Sequence, residues 1–238
     1  MKSVKPKKLA EISNEWDALS ITRQQIIEEN NDISLVEVTA PCMIKEVAAI
    51  SPNRIILDVG CGTGYLTSLL AKQAKICVGI DASKTSVNIA QKSYKHNNIN
   101  FIHSKISDFR CDFHFDICVA NMVFSCDPEW LVSIKSIYNL LSPNGSLLIM
   151  LPHPCFWQKY WNIDNEDWFS YEQDIFIEHD FSISKVSSLG LATYIHRPLH
   201  KYINGIIMSG YKLDCISELS GKDSNKDHKF LFIKCSKL

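Results

Sequence analysis

The run ILDVGCGTGYLTSLL, residues 56–70, constrains this chain more than any other stretch. A continuously apolar segment over 54–59 reads as a strand buried on both faces. It runs into three glycines at alternate positions, Gly60, Gly62 and Gly64, and then into a helical pattern over 65–74. Positions without a Cβ let the backbone turn sharply and let a ligand lie against it. Strand, glycine loop and helix together form the cradle that α/β sheets offer to a ligand. The dinucleotide fingerprint needs G-x-G-x-x-G. Here the second gap is one residue and Tyr65 occupies the last position, so a pyrophosphate cofactor fits poorly.

The elements around that loop alternate. Strands are predicted over 75–80, 99–104, 115–121 and 146–151, and helices over 83–97 (capped by Ser83) and 128–141 (capped by Asp127, with Pro128 in the first turn). This order implies a parallel sheet with helices on both faces. Ahead of it, Ile12, Trp16, Leu19, Ile26 and Ile27 fall at helical spacing, and Pro41 reads as the first residue of a helix over 41–50. After residue 151 the rhythm changes to an aromatic stretch. Two strands of a hairpin follow (180–187 and 191–197), then a helix over 199–210 and two strands joined by a polar turn over 220–228. The expected divisions are an N-terminal helical cap (1–50), an α/β core (51–151), a lid insertion (152–198) and a closing helix with two strands (199–238).

Composition narrows the function classes. Of 238 residues, 46% are hydrophobic and 21% charged, ordinary values for a globular protein, and the formal net charge is -1. That charge gives no electrostatic reason to expect nucleic acid or an acidic membrane as partner. Nine cysteines, none in C-x-x-C, suit reduced thiols in a cytoplasmic protein and make a zinc site improbable. The basic MKSVKPKK is expected to be a solvated, frayed terminus, with no apolar segment after it to make a signal peptide. No apolar run approaches a membrane-spanning length.

The spacing D-V-G-C-G-T-G, followed by GIDAS with Asp81 ending the second core strand, resembles the class I S-adenosylmethionine-dependent methyltransferases of small-molecule type. LLSPNGSLLIM resembles that family's L-x-P-G-G-x-L turn, with Asn144 at its first glycine, a residue that tolerates left-handed backbone. The resemblance covers residues 54–151. It implies an α/β Rossmann-like fold, a doubly wound, mostly parallel seven-stranded sheet with an antiparallel edge strand and an inserted lid. It also implies S-adenosylmethionine as cofactor and S-adenosylhomocysteine as product.

By the same resemblance, the loop from Gly60 through Cys61, Gly62, Thr63 and Gly64 admits the methionine part of the cofactor. Asp58 orients the loop and the cofactor's ammonium. Asp81 accepts the ribose hydroxyls, and Ala82 lies beside the adenine. The acid that often binds the adenine amine after the third strand is missing, with Ser104 or Lys105 in its place. Backbone groups around Lys105 and Ile106, or Asp108 from a bulged loop, are the substitutes. Asn121 faces the methyl group, with Met122 and Val123 behind it.

Ligands of open α/β sheets sit at the carboxyl ends of the strands. The segment leaving the fifth core strand is therefore where a methyl acceptor belongs. His153, stiffened between two prolines, is the first candidate base and His196 the second, each weighed against a packing role. Arg197 is a candidate for a substrate carboxylate. Phe156, Trp157, Trp168 and Tyr171, with Tyr160, Trp161 and Phe169, read as a lid core or an aromatic substrate wall, and Trp16 as a residue of a second lid. His179 and Asp180 are expected on a hairpin edge. The partner is a small-molecule methyl acceptor, for a monomer or homodimer. A nucleic-acid or peptide methyltransferase and a non-catalytic cofactor-binding module stay open as alternatives. The first usually carries an N-P-P-Y-like motif after the fourth strand, where this chain has ANMVFS. Asp116 and Asn121 alone do not make an octahedral metal site.

Overall fold

The computed structural model describes residues 1–50, 53–183, 189–221 and 228–238. In chain order the elements are β1 (Lys2–Val4), α1 (Leu9–Glu28), a π-helical stretch (Ser34–Thr39) running into α2 (Ala40–Ile50), β2 (Arg54–Val59), α3 (Tyr65–Leu70), β3 (Ala74–Asp81), α4 (Lys84–Ser93), β4 (Ile99–His103) and β5 (Phe115–Asn121). There follow α5 (Trp130–Leu140), β6 (Leu141–Pro152), α6 (Trp157–Tyr160), β7 (Ile175–Asp180), β8 (Leu191–His196), α7 (Leu199–Met208), β9 (Tyr211–Ser220) and β10 (His228–Lys237). No helix among the described residues is long and apolar enough to cross a membrane.

The main sheet has seven strands in the order β4-β3-β2-β5-β6-β10-β9. The first five run parallel, as the continuous apolar runs require. The late hairpin joins at the β6 edge, and its inner strand β10 runs antiparallel to both β6 and β9. One helical layer packs around Ile134, Ile137 and Tyr202, the other around Met43, Val47 and Leu70. Strand order reverses between β2 and β5, so the crevice for a ligand opens where those two strands end.

Pro41 does not start a helix. The π-helical stretch precedes it without a break, and Ala40 N–H reaches back to the Leu35 carbonyl. A proline lacks the amide proton and crowds the preceding turn, and the wider π turn accommodates it.

A second sheet of three strands lies outside the first, in the order β1-β7-β8. The expectation of a frayed terminus fails here: Lys2, Ser3 and Val4 pair with Glu178, Ile177 and Phe176. Lys7 then fastens the terminus. Its Nζ donates to Glu15 (2.6 Å), Glu178 (2.9 Å) and the Thr193 hydroxyl (2.9 Å), and Lys2 meets the other Glu178 oxygen at 2.9 Å. Burial alone would lower the Lys7 pKa, but the two carboxylates outweigh it and raise it. The cap and the lid insertion therefore form one unit. The lid's first strand lies at 175–180, earlier than the expected 180–187, and residues 184–187 of that expectation lie outside the described ones, as do 222–227 of the expected turn.

Lys7→Met keeps most of the side chain's bulk and leaves two carboxylates facing each other. It is expected to remove about 1–3 kcal/mol and to lower Tm by roughly 3–10 °C. A thermal melt that matches the wild type would show that these bonds contribute nothing.

Candidate active site

The glycine loop is shaped by amides that need acceptors. Gly60 and Cys61 both donate to the Ile80 carbonyl, at 2.8 and 3.0 Å. Gly62 N–H donates to Asp81 Oδ2 at 2.8 Å, and Ser83 N–H to Asp81 Oδ1 at 2.7 Å. A carboxylate offers about four acceptor positions, so two remain for a ligand. Burial pushes the Asp81 carboxyl up from its ordinary value, and the two amides pull it back only in part. Asp58 is buried and accepts from the Thr67 hydroxyl at 2.6 Å. Burial, opposed by that bond and aided by the nearby Asp81 charge, raises its pKa to about 7.

The three glycines differ in what they do. All have positive φ, at 66°, 54° and 90°. A Cβ on Gly64 would meet Phe101 and Ala90 at 2.8 and 2.9 Å, and one on Gly60 would run into the Val123 side chain. A Cβ on Gly62 would meet nothing within 4 Å. Gly60 and Gly64 therefore serve packing as well as the turn, while Gly62 faces open space.

That space is a cavity of about 620 Å³ at the ends of β2, β3 and β5, in the ~300–1,000 Å³ range of small-molecule sites. Asp58, Gly60, Cys61, Gly62, Thr63, Asp81, Ala82, Lys105, Ile106, Asn121 and Met122 all line it, as do Trp16 and Trp157, but Gly64 does not. Asp108 does not line it but lines a neighbouring pocket that shares Ala82, Ser104 and Lys105 with it. Met122 has φ 63°, which costs a non-glycine residue about 1–3 kcal/mol; its N–H is held by the Met150 carbonyl at 2.8 Å. Asn121 reaches Thr39 at 3.4 Å through Nδ2, and its Oδ1 is buried without a partner.

The expected bases do not line this cavity. His153 is 1% exposed: Nδ1 accepts the Cys155 N–H at 3.1 Å and Nε2 donates to Glu218 at 2.8 Å. With both nitrogens committed, and burial lowering its pKa despite Glu218, it is a fixed packing group. His196 donates through Nε2 to the Tyr171 carbonyl at 3.0 Å. Arg197 is 2% exposed and clamps the Phe124 and Asp127 carbonyls, both at 2.7 Å, so its fork is used inside the protein.

Three expected substrate residues stand apart as well. Phe156 packs on His153 at 4.6 Å, Trp168 on Phe169 at 6.3 Å, and the Tyr171 hydroxyl accepts the Leu199 N–H at 3.0 Å. Trp168 and Tyr171 pack on rings of the lid, and Phe156 packs where β6 and β10 meet.

His179, expected on an edge, is the imidazole that lines the cavity among the described residues. It shares one face of β7 with the buried Ile175 and Ile177. Its Nδ1 lies 3.3 Å from the Asp180 carbonyl. A carbonyl only accepts, so Nδ1 carries the proton and Nε2 keeps a lone pair. Burial lowers its pKa and holds the ring neutral. The alternation I-x-I-x-H over 175–179 was the signal that could have placed it inward. Trp16 meets Phe181 edge-on at 5.2 Å, closing the wall between α1 and the lid.

Comparison with known proteins places this geometry. Residues 56–145 match a family model described as a methyltransferase domain. A malonyl-[acyl-carrier protein] O-methyltransferase from Priestia megaterium is 33% identical over 95 residues, 39% of this chain and 35% of that one. A trans-aconitate 2-methyltransferase from Rhodopseudomonas palustris is 30% identical over 113 residues, 46% of this chain and 43% of that one. The chain thus spans less than half the length of these curated relatives.

Among solved structures, an S-adenosylmethionine-dependent methyltransferase from Clostridium acetobutylicum superposes with a TM-score of 0.66 at 13% identity, over 91% of this chain and 99% of that one. The Burkholderia thailandensis 1,6-didemethyltoxoflavin-N1-methyltransferase, solved with 1,6-didemethyltoxoflavin and S-adenosylhomocysteine, gives 0.63 at 12% over 99% and 93%. At such identities the likeness is one of fold.

The glycines make a ranking that thermal melts can read. Gly64→Ala combines a steric clash with left-handed backbone and is expected to destabilise by ~2–5 kcal/mol. Gly62→Ala carries only the backbone term, ~1–2 kcal/mol. Equal melting losses, or the reverse order, would refute the packing role of Gly64.

Proposed function

On the footing that this chain belongs to the class I S-adenosylmethionine-dependent methyltransferases, we propose that it methylates an oxygen or nitrogen atom of a small metabolite. The observation that carries this reading is Asp81: a half-buried carboxylate, anchored by two amides, with two acceptor positions left at the wall of the cavity. The residues fit the cofactor. Asp81 takes the ribose hydroxyls, the Gly62 side of the loop admits the methionine part, Asp58 serves its polar end, and Ala82, Lys105 and Ile106 flank the base. When bound, S-adenosylmethionine supplies an electrophilic methyl group on a sulfonium.

The chain's own contribution is placement and dryness. Asn121 and Met122 end β5 on the same cavity that the lid rings close from the other side. Holding an acceptor there accounts for ~7–11 kcal/mol of barrier lowering through proximity. Where the acceptor atom carries a proton, His179 is the group suited to receive it, being neutral with a free Nε2 lone pair. Nine unpaired cysteines, four of them buried, suit a reducing cytoplasmic setting.

Calorimetry with S-adenosylhomocysteine tests the reading. Asp81→Ala is expected to weaken binding ~10–100-fold. Protonated Asp58 has no charge to offer an ammonium, and a bound ammonium favours its ionised form. Binding therefore releases a proton below about pH 7, and affinity rises with pH by up to tenfold per unit until about pH 7, then levels. Asp58→Asn flattens that slope, and what remains reports Asp81, which is also raised. No saturable binding by the wild type would overturn the assignment. Tight binding with no label passing from S-adenosylmethionine to any metabolite would leave a binding module.

A further inference from the structure

The lid half of the cavity holds polar groups that nothing in the protein satisfies. Tyr194 is 5% exposed and its hydroxyl is buried without a partner; Trp157 Nε1 and Asn121 Oδ1 are likewise buried and unpartnered. All three residues line the cavity. A buried polar group left unpaired costs about 1–3 kcal/mol, so three around one space mark the positions a ligand completes. Their chemistry is mixed: the indole N–H donates, the amide oxygen accepts, and the phenol does either.

Ring faces surround them. Trp161 packs edge-on to Tyr194 at 5.0 Å and to Trp157 at 5.3 Å, and lies 4.5 Å from His179. The guanidinium at this end, Arg23, is already compensated: it sits 2.7 Å from the Asp32 carboxylate and over the Phe181 ring at 5.6 Å. The Met1 ammonium, close enough to act on His179, is the other cation here, and an aromatic wall with a few fixed polar atoms recognises chiefly flatness and an edge pattern.

We propose that this half of the cavity binds the methyl acceptor as a flat, uncharged heteroaromatic ring bearing both a hydrogen-bond donor and an acceptor on its edge. Its faces lie against the Trp157–Trp161 wall, and its edge is met by Tyr194, Trp157 and Asn121. An ionised polycarboxylate is rejected, because the rings would desolvate it and the Met1 ammonium beside His179 answers at most one of its charges. The inference rests on the reading above that the glycine-loop end takes the nucleoside.

The test is calorimetric, on the full chain saturated with S-adenosylhomocysteine. The probes are 4-hydroxyquinoline, 8-hydroxyquinoline and hypoxanthine, set against trans-aconitate. At least one bicyclic probe is expected to bind saturably and trans-aconitate not at all. Tyr194→Phe and Trp157→Phe, which keep a ring and remove the polar atom, are each expected to weaken that probe about 10-fold or more. If one variant fails to fold, the other decides. Binding of trans-aconitate alone, binding of no bicyclic probe, or wild-type affinity in the folded variants would each overturn the proposal. Titration of S-adenosylhomocysteine into the wild type comes first: its failure sinks the methyltransferase reading, whereas cofactor binding without aromatic binding sinks only this one.

Discussion

One carboxylate holds the architecture of the site. A loop with positive φ at three glycines turns its amides inward, and buried amides must find acceptors. Backbone supplies one acceptor, the Ile80 carbonyl shared by Gly60 and Cys61. The third amide needs Asp81. The same carboxylate takes the Ser83 N–H, Ser83 caps α4, and the Ser83 hydroxyl donates to Asp17 on α1. Loop, strand, helix and cap are thus joined through four residues. Burial would drive Asp81 toward its neutral acid, which would weaken every one of those bonds. The amides keep it a usable acceptor, and a ligand's hydroxyls act in the same direction.

The core was legible because its signals are local. Continuous apolar runs bounded by turn residues locate β2, β3 and β5. Alternate glycines have no bland explanation after a buried strand, and Asn144 takes the left-handed backbone, φ 60°, that its resemblance to a glycine position required. The lid was legible in composition but not in direction. Which aromatic faces the cavity depends on the register of β7 against β1 and β8, and that pairing joins residues more than 170 positions apart. A shift in where the strand begins moves a residue such as His179 from edge to interior. The terminus was misread for the same reason: three residues carry no strand signal alone, and the carboxylate that Lys2 and Lys7 answer lies at Glu178.

That distant pairing also explains why the histidines nearest the sheet are not the ones at the cavity. His153 follows β6, where β10 and β9 run beside it, and Glu218 on the edge strand captures its ring. His196 ends β8 and turns into the small core formed by the lid's own rings. The neighbouring residue, Ile195, donates its N–H to the Ser125 carbonyl at 2.7 Å, which ties the lid sheet to the loop after β5. The lid is therefore hung from the core at the end of β5 and closed by the N-terminal strand. Its inner face is β7 and β8 residues of one parity.

The cavity that results is electrostatically divided, and the division bears on what it accepts. Asp58 and Asp81 stand at one end, both pushed toward neutrality by burial, and a cationic, hydroxyl-bearing ligand would favour their charged forms. At the other end the charge of Arg23 is spent on Asp32, and the remaining wall is aromatic rings, single polar atoms and the Met1 terminus. An acceptor with its own negative charge would lose hydration there without recovering it, while a neutral one loses little. On the proposed reading, selectivity for charge would follow from where the ion pairs already are, and selectivity for shape from the lid rings. The sheet beneath needs only to hold the two ends at a fixed separation.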